Sequence, residues 1–455
     1  MPPVSLSTDL YELTMMAGYH ACGLRAPATF ELYVRDLPRN RSYLVAAGLE
    51  QALEYLETLH FSAEQIDYLR GVPMFEPVSR AFFDEYLPSV RFTGEVWAVA
   101  EGTPVFSHEP ILRVTAPIGE AQLVETALLA TVGFQTSIAS KAARIVTAAA
   151  GRRVIEFGSR RAHGAEAACL AARAAYLAGC EGTSNVEAGF RFGIPVSGTM
   201  AHSWVMSFEH EAEAFEAFYG LYGERSTLLI DTYDTVAAAA ALGASGLRPG
   251  SVRLDSGDLA ALSRQVRAIL DAHGLSGTRI FATGDLDEHK IAALVAAAAP
   301  IDGCGVGTAL STSKDAPALG AVYKLVAFER DGRRVDALKL SEGKQSYPAA
   351  KQVWRVAAGP GPGATRDLLA LEEEEGPPGA RPLLSRVMVD GRRTAPPAPL
   401  ASLRDACLGA LEELPAGLRR LDRIEAYPVA VSDPLRSLTG RLSSRHPAGG
   451  RSREP

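Results

Sequence analysis

The sequence predicts an α/β protein, in which an irregular α/β barrel follows an N-terminal α+β domain that a later segment completes. Three observations predict it. After Arg153, short apolar runs alternate with helical patterns, and each run ends in a compact polar or glycine motif, as parallel βα units do. Before Arg153 the chain instead mixes helices with extended runs and hairpin signals. A length of 455 residues exceeds one ordinary core, and 47% hydrophobic with 22% charged residues supports folding through most of the chain.

Thr8 and Asp9 precede helical periodicity at Leu10, Leu13, Met16 and Ala17, so capping and pattern agree on a helix. Tyr11, in its first turn, reads as a core aromatic with a hydrated hydroxyl. Ala28–Val34 is a strand, and Asp36–Ser42 is a polar turn whose arginines, Arg35, Arg39 and Arg41, form a solvated basic loop. Leu44–Leu59 has helical periodicity, and shorter helices fill Ala63–Leu87. Glu95–Ala100 and Pro110–Val114 alternate as hairpin strands do. The Ala-rich stretch Gly119–Ala150 predicts two helices broken near Gly133, and the boundary between domains 1–135 and 136–320 falls within it.

The barrel strands are Val154–Phe157, the residues around Gly182-Thr183, those before Gly198, Thr227–Ile230, Ser251–Leu254, Arg279–Ala282 and Gly303–Val306. Helices such as Ala165–Ala178 and Leu259–His273 fill the gaps. Unequal run lengths make the barrel irregular, with chemistry expected at the carboxyl ends of its strands. Beyond it, Asp331-Gly332 joins two strands in a hairpin, so residues 321–356 and part of 383–430 are expected to rejoin the first domain. Residues 357–382 read as a Gly/Pro-rich and acidic loop, and 441–455 as a disordered tail.

With 46 basic and 53 acidic residues the net charge is −7, which disfavours nonspecific binding to nucleic acid or anionic lipid. An anionic substrate must therefore meet local basic residues. The five cysteines form no CxxC pair, which gives neither a disulfide framework nor a structural zinc site and fits a reducing cytoplasm. The start lacks a signal-peptide pattern, and no apolar run is long enough to cross a bilayer.

Chemistry-bearing motifs follow the expected strands. Gly198-Thr199 delivers His202 among small residues, a setting that suits a reacting histidine as well as a hydrogen-bonded structural one. Arg160 and Arg161 follow Glu156-Phe157-Gly158, either as a forked site for phosphate or carboxylate or as surface ion pairs. In Val252–Asp258, Arg253 lies beside Asp255 and Asp258, which suit magnesium or, alternatively, an N-cap and a solvated turn. Two phosphate-type loops follow, one with Gly284 and one with Gly305, Gly307 and the Thr308 hydroxyl. The nucleotide-hydrolase loop GxxxxGK[ST] is absent, so any use of ATP takes another arrangement.

The segments STDLYELTM, EFGSRRAHG, GTMAHSW, VRLDSGDL, TGDLDE, GVGTALST and KLSEGKQSYP occur in the order in which nicotinate phosphoribosyltransferases carry them. The resemblance to that family, which is of the type II phosphoribosyltransferases, spans residues 7–348. It implies a two-domain α/β fold, a head-to-tail homodimer with composite sites, and the first step of NAD synthesis from nicotinate. Nicotinate and phosphoribosyl pyrophosphate would give nicotinate mononucleotide and pyrophosphate, coupled to ATP hydrolysis with Mg2+. By the same resemblance His202 is a transiently phosphorylated catalytic histidine, and Arg253 a catalytic residue that contacts nicotinate beside Tyr11 and Thr199. Arg160, Arg161, Gly305, Gly307 and Thr308 would hold phosphoribosyl pyrophosphate, joined by Asp255, Ser256 and Gly284. For Tyr11 this displaces the core-aromatic reading. Residues 359–455 match nothing in the resemblance. The rival readings are a nicotinamide phosphoribosyltransferase and a catalytically silent homologue acting as a binding protein.

Overall fold

The computed structural model describes residues 5–339, 346–357 and 364–445. Residues 340–345 of the KLSEGKQSYP motif, the Gly359–Gly363 stretch and residues 446–455 of the expected tail lie outside the described residues.

Helix α1 (Leu10–Ala21) begins where Thr8-Asp9 predicts, although Asp9 turns its carboxylate to the Thr126 hydroxyl at 2.8 Å instead of capping the helix. Strand β1 (Pro27–Val34) follows. The arginine loop departs from its expected solvation, because Arg41 is 2% exposed and pairs with Asp315 at 2.7 Å. The expected helix over 44–59 divides into β2 (Leu44–Val45) and α2 (Leu49–Thr58). The cause is Gly48, at φ +95°, where a Cβ would stand 2.8 Å from the Thr131 carbonyl oxygen. A left-handed residue cannot lie inside a right-handed helix.

Ser62 and Gln65 form a capping box at the start of α3 (Ala63–Arg70), and a single turn, α4 (Leu87–Ser89), follows. Strands β3 (Glu95–Val99), β4 (Pro104–Val105) and β5 (Pro110–Pro117) lead into α5 (Ile118–Leu123) and α6 (Glu125–Ala149). The helical break therefore lies at Val124, and α6 runs uninterrupted through Gly133. A helical glycine costs only about 1 kcal/mol relative to alanine, which the burial of α6 outweighs. This helix joins the two cores: Leu128 and Val132 belong to the N-terminal one, Ile138, Ala142 and Ile145 to that of the barrel.

The barrel region alternates β6 (Arg153–Glu156), α7 (Ala165–Leu177), β7 (Gly182–Thr183), α8 (Val186–Phe192), α9 (His202–Met206), α10 (Glu211–Tyr222), β8 (Thr227–Leu229), α11 (Thr235–Ala244), β9 (Ser251–Leu254), α12 (Leu259–Ala272), β10 (Arg279–Ala282), α13 (Glu288–Ala296), β11 (Gly303–Val306) and α14 (Thr308–Ser311). Its six strands form a parallel sheet in the order β7-β6-β11-β10-β9-β8. The run before Gly198 adds only a bridge between Thr183 and Val196. The sheet is a half-barrel with β7 and β8 at its two ends.

The chain then returns to the first domain through β12 (Ala321–Arg330) and β13 (Arg333–Asp336). Their turn holds Asp331 and Gly332 at φ +50° and +70°, the geometry that favours this dipeptide. The remaining elements are β14 (Lys351–Ala357), β15 (Ala364–Leu371), β16 (Arg381–Pro382), β17 (Leu384–Val389), β18 (Arg392–Arg393), α15 (Leu400–Glu412), β19 (Val429–Val431) and α16 (Asp433–Arg445). An antiparallel sheet in the order β13-β12-β1-β5-β3-β17-β18 thus joins N-terminal and later strands. Strand β15 corrects the loop expected over 357–382: Leu369 and Ala370 are buried and the strand pairs with β14 from Lys351 to Ala357. Likewise, residues 441–445 of the expected disordered tail are the last turn of α16.

Candidate active site

The carboxyl ends of the half-barrel strands enclose two adjoining cavities, of about 260 and 340 Å³. Arg160, Arg161, Gly284, Gly305, Gly307 and Thr308 line the first; Ser184, Gly198, Thr199 and His202 line the second. Phe157, Arg160, Arg253 and Asp255 belong to both. Strand-end motifs some 150 residues apart in sequence, from Arg160 to Thr308, therefore face one space.

Arg253 is the fixed centre of this arrangement. Its Nε donates to the Thr283 hydroxyl, Nη1 to the Met200 carbonyl and Nη2 to Asp255, each at 3.0 Å. Burial pushes the Asp255 carboxyl up, but hydrogen bonds from Thr283 and Arg253, with the nearby Arg253 and His202 charges, hold it below the usual carboxylate range. His202 opens α9, with Nδ1 3.2 Å from the Thr232 hydroxyl and Nε2 3.8 Å from Asp255. Its side chain is 40% exposed, so the imidazole is held and still open to an incoming group. Asp231, two residues beyond β8, accepts the Asp255 N–H at 2.9 Å and the Ser256 hydroxyl at 2.7 Å through Oδ2, while its buried Oδ1 has no hydrogen-bond partner.

Close backbone approach shapes the anion side. Gly284 has φ +97°, and a Cβ there would lie 1.9 Å from the Asp255 carbonyl oxygen. At Gly305 a Cβ would meet the Phe157 ring at 2.5 Å. A side chain at Gly284 would have to move the loop, and one at Gly305 would have to displace the Phe157 ring. Arg160 and Arg161 are exposed, and among the described residues neither is in an ion pair.

Other expected residues are placed differently. Asp258 caps α12, accepting the Ala260 and Ala261 N–H groups at 3.1 and 3.0 Å, so its N-cap reading holds. Ser256 turns its hydroxyl to Asp231. Thr199 lines the second cavity but donates its hydroxyl to the Thr227 carbonyl at 2.7 Å. Tyr11, on α1, is 46% exposed and lines neither cavity. Phe157, Ser184 and Asp231 were missed as site residues, although the first two directly follow a short strand and Asp231 lies two residues beyond one, which is where barrel chemistry gathers.

Unpaired cations and glycine-lined backbone lie on one side, and a histidine beside a carboxylate on the other, the chemistry that suits an anion-binding enzyme site. Comparisons with known proteins narrow the class. Residues 6–133 match the nicotinate phosphoribosyltransferase (NAPRTase) N-terminal domain, 152–353 the nicotinate phosphoribosyltransferase (NAPRTase) family and 377–439 the nicotinate phosphoribosyltransferase C-terminal domain. A nicotinate phosphoribosyltransferase of Mycobacterium tuberculosis is 48% identical over 451 residues, covering 96% of this chain and 94% of its own. That of Bacillus subtilis is 44% identical, covering 82% and 77%. The crystal structure of human nicotinic acid phosphoribosyltransferase superposes with a TM-score of 0.84 at 29% identity, over 96% of this chain and 99% of the human one. The chain belongs to the nicotinate phosphoribosyltransferase family. The C-terminal match gives residues 377–439 a place in that family that the motifs alone had not.

Proposed function

We propose that this enzyme joins nicotinate to the ribose of phosphoribosyl pyrophosphate in NAD biosynthesis, releasing pyrophosphate, with ATP hydrolysis coupled through His202. The observation that carries the reading is the meeting of the two cavities at Arg253 and Asp255, which lets a pyridine carboxylate and a phosphorylated sugar abut. Arg160, Arg161 and the Thr308 loop hold the phosphates, while Phe157, Ser184, Thr199 and Arg253 surround the pyridine ring. The ring nitrogen attacks the anomeric carbon as the bond to pyrophosphate breaks, so the protein's task is to align the two and to balance the departing charge. The second cavity is lined by Arg160 and Arg253, and its one carboxylate, Asp255, is already engaged by Thr283 and Arg253. A carboxylate substrate is therefore favoured over an amide.

The donor set fits magnesium carried on substrate phosphates: Asp255 and the unpartnered Oδ1 of Asp231 would hold it. When bound, the ion neutralises charge on the leaving pyrophosphate. Among the described residues there is no group of three or more His, Cys, Asp or Glu side chains placed to hold a metal ion. For the coupling, the γ-phosphoryl group of ATP passes to His202 as ADP departs, and water later cleaves the phosphohistidine to phosphate. The phosphorylated state binds substrates more tightly, and its hydrolysis resets the site. Tyr11, exposed on α1 with Leu10 and Met15, reaches nicotinate only across a homodimer.

The test is product formation from nicotinate or nicotinamide with magnesium and phosphoribosyl pyrophosphate, with and without ATP. Nicotinate-specific, ATP-stimulated turnover that loses its ATP dependence in His202→Ala is expected. Turnover of nicotinamide supports the rival amide enzyme, no product supports the silent homologue, and full ATP coupling in His202→Ala sinks the phosphohistidine.

A further inference from the structure

Next to Phe157, which lines both cavities, lies a buried carboxylate that the reaction itself does not use. Glu156, the last residue of β6, is 1% exposed. Its Oε1 accepts the Gly158 N–H, and its Oε2 accepts the Thr183 hydroxyl at 2.6 Å. Gly158 opens the turn that carries Arg160 and Arg161, where a Cβ would lie 2.3 Å from that of Ser311, so the turn has no room to shift toward α14. Thr183 ends β7 and is fully buried. Its Oγ1 accepts the Asn185 N–H at 2.9 Å, its N–H donates to the Pro195 carbonyl at 3.0 Å, and its own carbonyl accepts the Ser197 N–H at 2.9 Å. The segment that leads to Thr199 and His202 is thereby stitched to Thr183. Burial pushes the Glu156 carboxyl above the usual carboxylate range, and the hydrogen bonds from Thr183 and Gly158 oppose that rise in part.

We propose that Glu156 is a positioning residue, which through Gly158 and Thr183 fixes the arginine turn and the histidine segment at their working separation. It touches neither substrate. The proposal rests on the reading of the two cavities given above, because it requires that one loop hold phosphoribosyl pyrophosphate and the other nicotinate.

Glu156→Gln keeps the shape but replaces one acceptor with a donor. The Thr183 hydroxyl, whose oxygen already accepts from Asn185, then loses its acceptor. In the full-length enzyme, KM for nicotinate and for phosphoribosyl pyrophosphate should rise together and kcat/KM fall about 100-fold, the scale of a displacement of about 1 Å in positioning groups. Thr183→Val should reproduce this, Thr183→Ser should recover most of it, and the double variant Glu156→Gln/Thr183→Val should cost no more than the worse single one. As a control for stability alone, Glu101→Gln disrupts the equally buried Arg173 pair and should lower Tm without raising both KM values. Unchanged KM values in Glu156→Gln, or additive losses in the double variant, overturn the proposal. Should Glu156→Gln not fold, the contrast between Thr183→Val and Thr183→Ser decides it. If the wild type makes no product, the functional reading fails by itself; calorimetric binding of phosphoribosyl pyrophosphate to wild type and Glu156→Gln then judges the positioning role, with equal affinities refuting it.

Discussion

Arginine meets carboxylate in two quite different places, at Arg253–Asp255 in the half-barrel and at Arg355–Asp367 in the C-terminal sheet. Asp367 is fully buried, held by Arg355 through contacts of 2.6 to 3.2 Å and by the Tyr427 hydroxyl at 3.1 Å. Asp255 is half open, and its neighbour Asp231 keeps one oxygen without a partner. The sheet cluster is shut away from solvent, whereas the site keeps the exposed, unpaired Arg160 and Arg161 for a ligand. The same ion pair serves as a fastener where solvent is excluded and as part of a receptor where it is not.

Breaking the fastener should have the largest effect. Arg355→Met removes the cation and leaves Asp367 buried beside Glu109, so a loss of about 3–5 kcal/mol in unfolding free energy is expected. Denaturant unfolding measures it; a loss under about 1 kcal/mol would show that the cluster is solvated after all. Next, Arg253→Lys should lower kcat/KM about 100-fold while Tm changes little. One ammonium cannot reproduce three directed bonds to Thr283, Met200 and Asp255. Near-normal kinetics would show that charge alone, not its orientation, matters at this position.

A third experiment separates the clusters by pH. Glu109 lies beside Asp367, and burial, with the Asp367 charge and hydrogen bond, pushes its carboxyl well above the usual range. Its folded pKa exceeds the unfolded value of about 4.3, so the stability it contributes is complete below that value and is lost as pH rises toward and through the folded pKa. Glu109→Gln keeps the acceptor for the Phe106 N–H and a donor for Asp367, and should flatten this decline. Parallel stability curves for wild type and variant above pH 5 would show that Glu109 is ionised in the fold. Asp255 slopes the other way: its carboxyl is lowered, so its contribution is present above its unfolded pKa and fades as pH falls through the folded one.

The strand-end motifs that line the two cavities were more legible in the sequence than several scaffold elements around them. Strand-end motifs such as Gly305–Thr308 combine a short apolar run with residues that only a phosphate or a tight turn requires, so local chemistry reports position. Gly48 and Gly133 show the opposite case. Each lies in helical periodicity, and only tertiary contact decides that the first ends a helix before it starts and the second does not. Strand β15 was hidden by the glycines and prolines flanking it, since its pairing with β14 is not local. The proposed role of Tyr11 is not legible in this chain's geometry, because the residue is exposed on α1 and lines neither cavity.

The smallest expected effect lies within a single motif and is the sharpest test of the contrast between fastening and receiving. Asp255 and Asp258 are three residues apart and both follow β9, so either suits a cation by composition alone. Yet Asp255 faces both cavities, while Asp258 spends its Oδ1 on the first two N–H groups it can reach in α12. Asp258→Ala should therefore cost about 1 kcal/mol of stability, as loss of an N-cap does, and leave KM for phosphoribosyl pyrophosphate and its magnesium dependence within about twofold. Asp258→Asn, which can still cap, should recover the stability. A rise in the magnesium requirement of Asp258→Ala that Asp258→Asn does not correct would return Asp258 to the metal, and with it the idea that both carboxylates of the motif belong to the receptor.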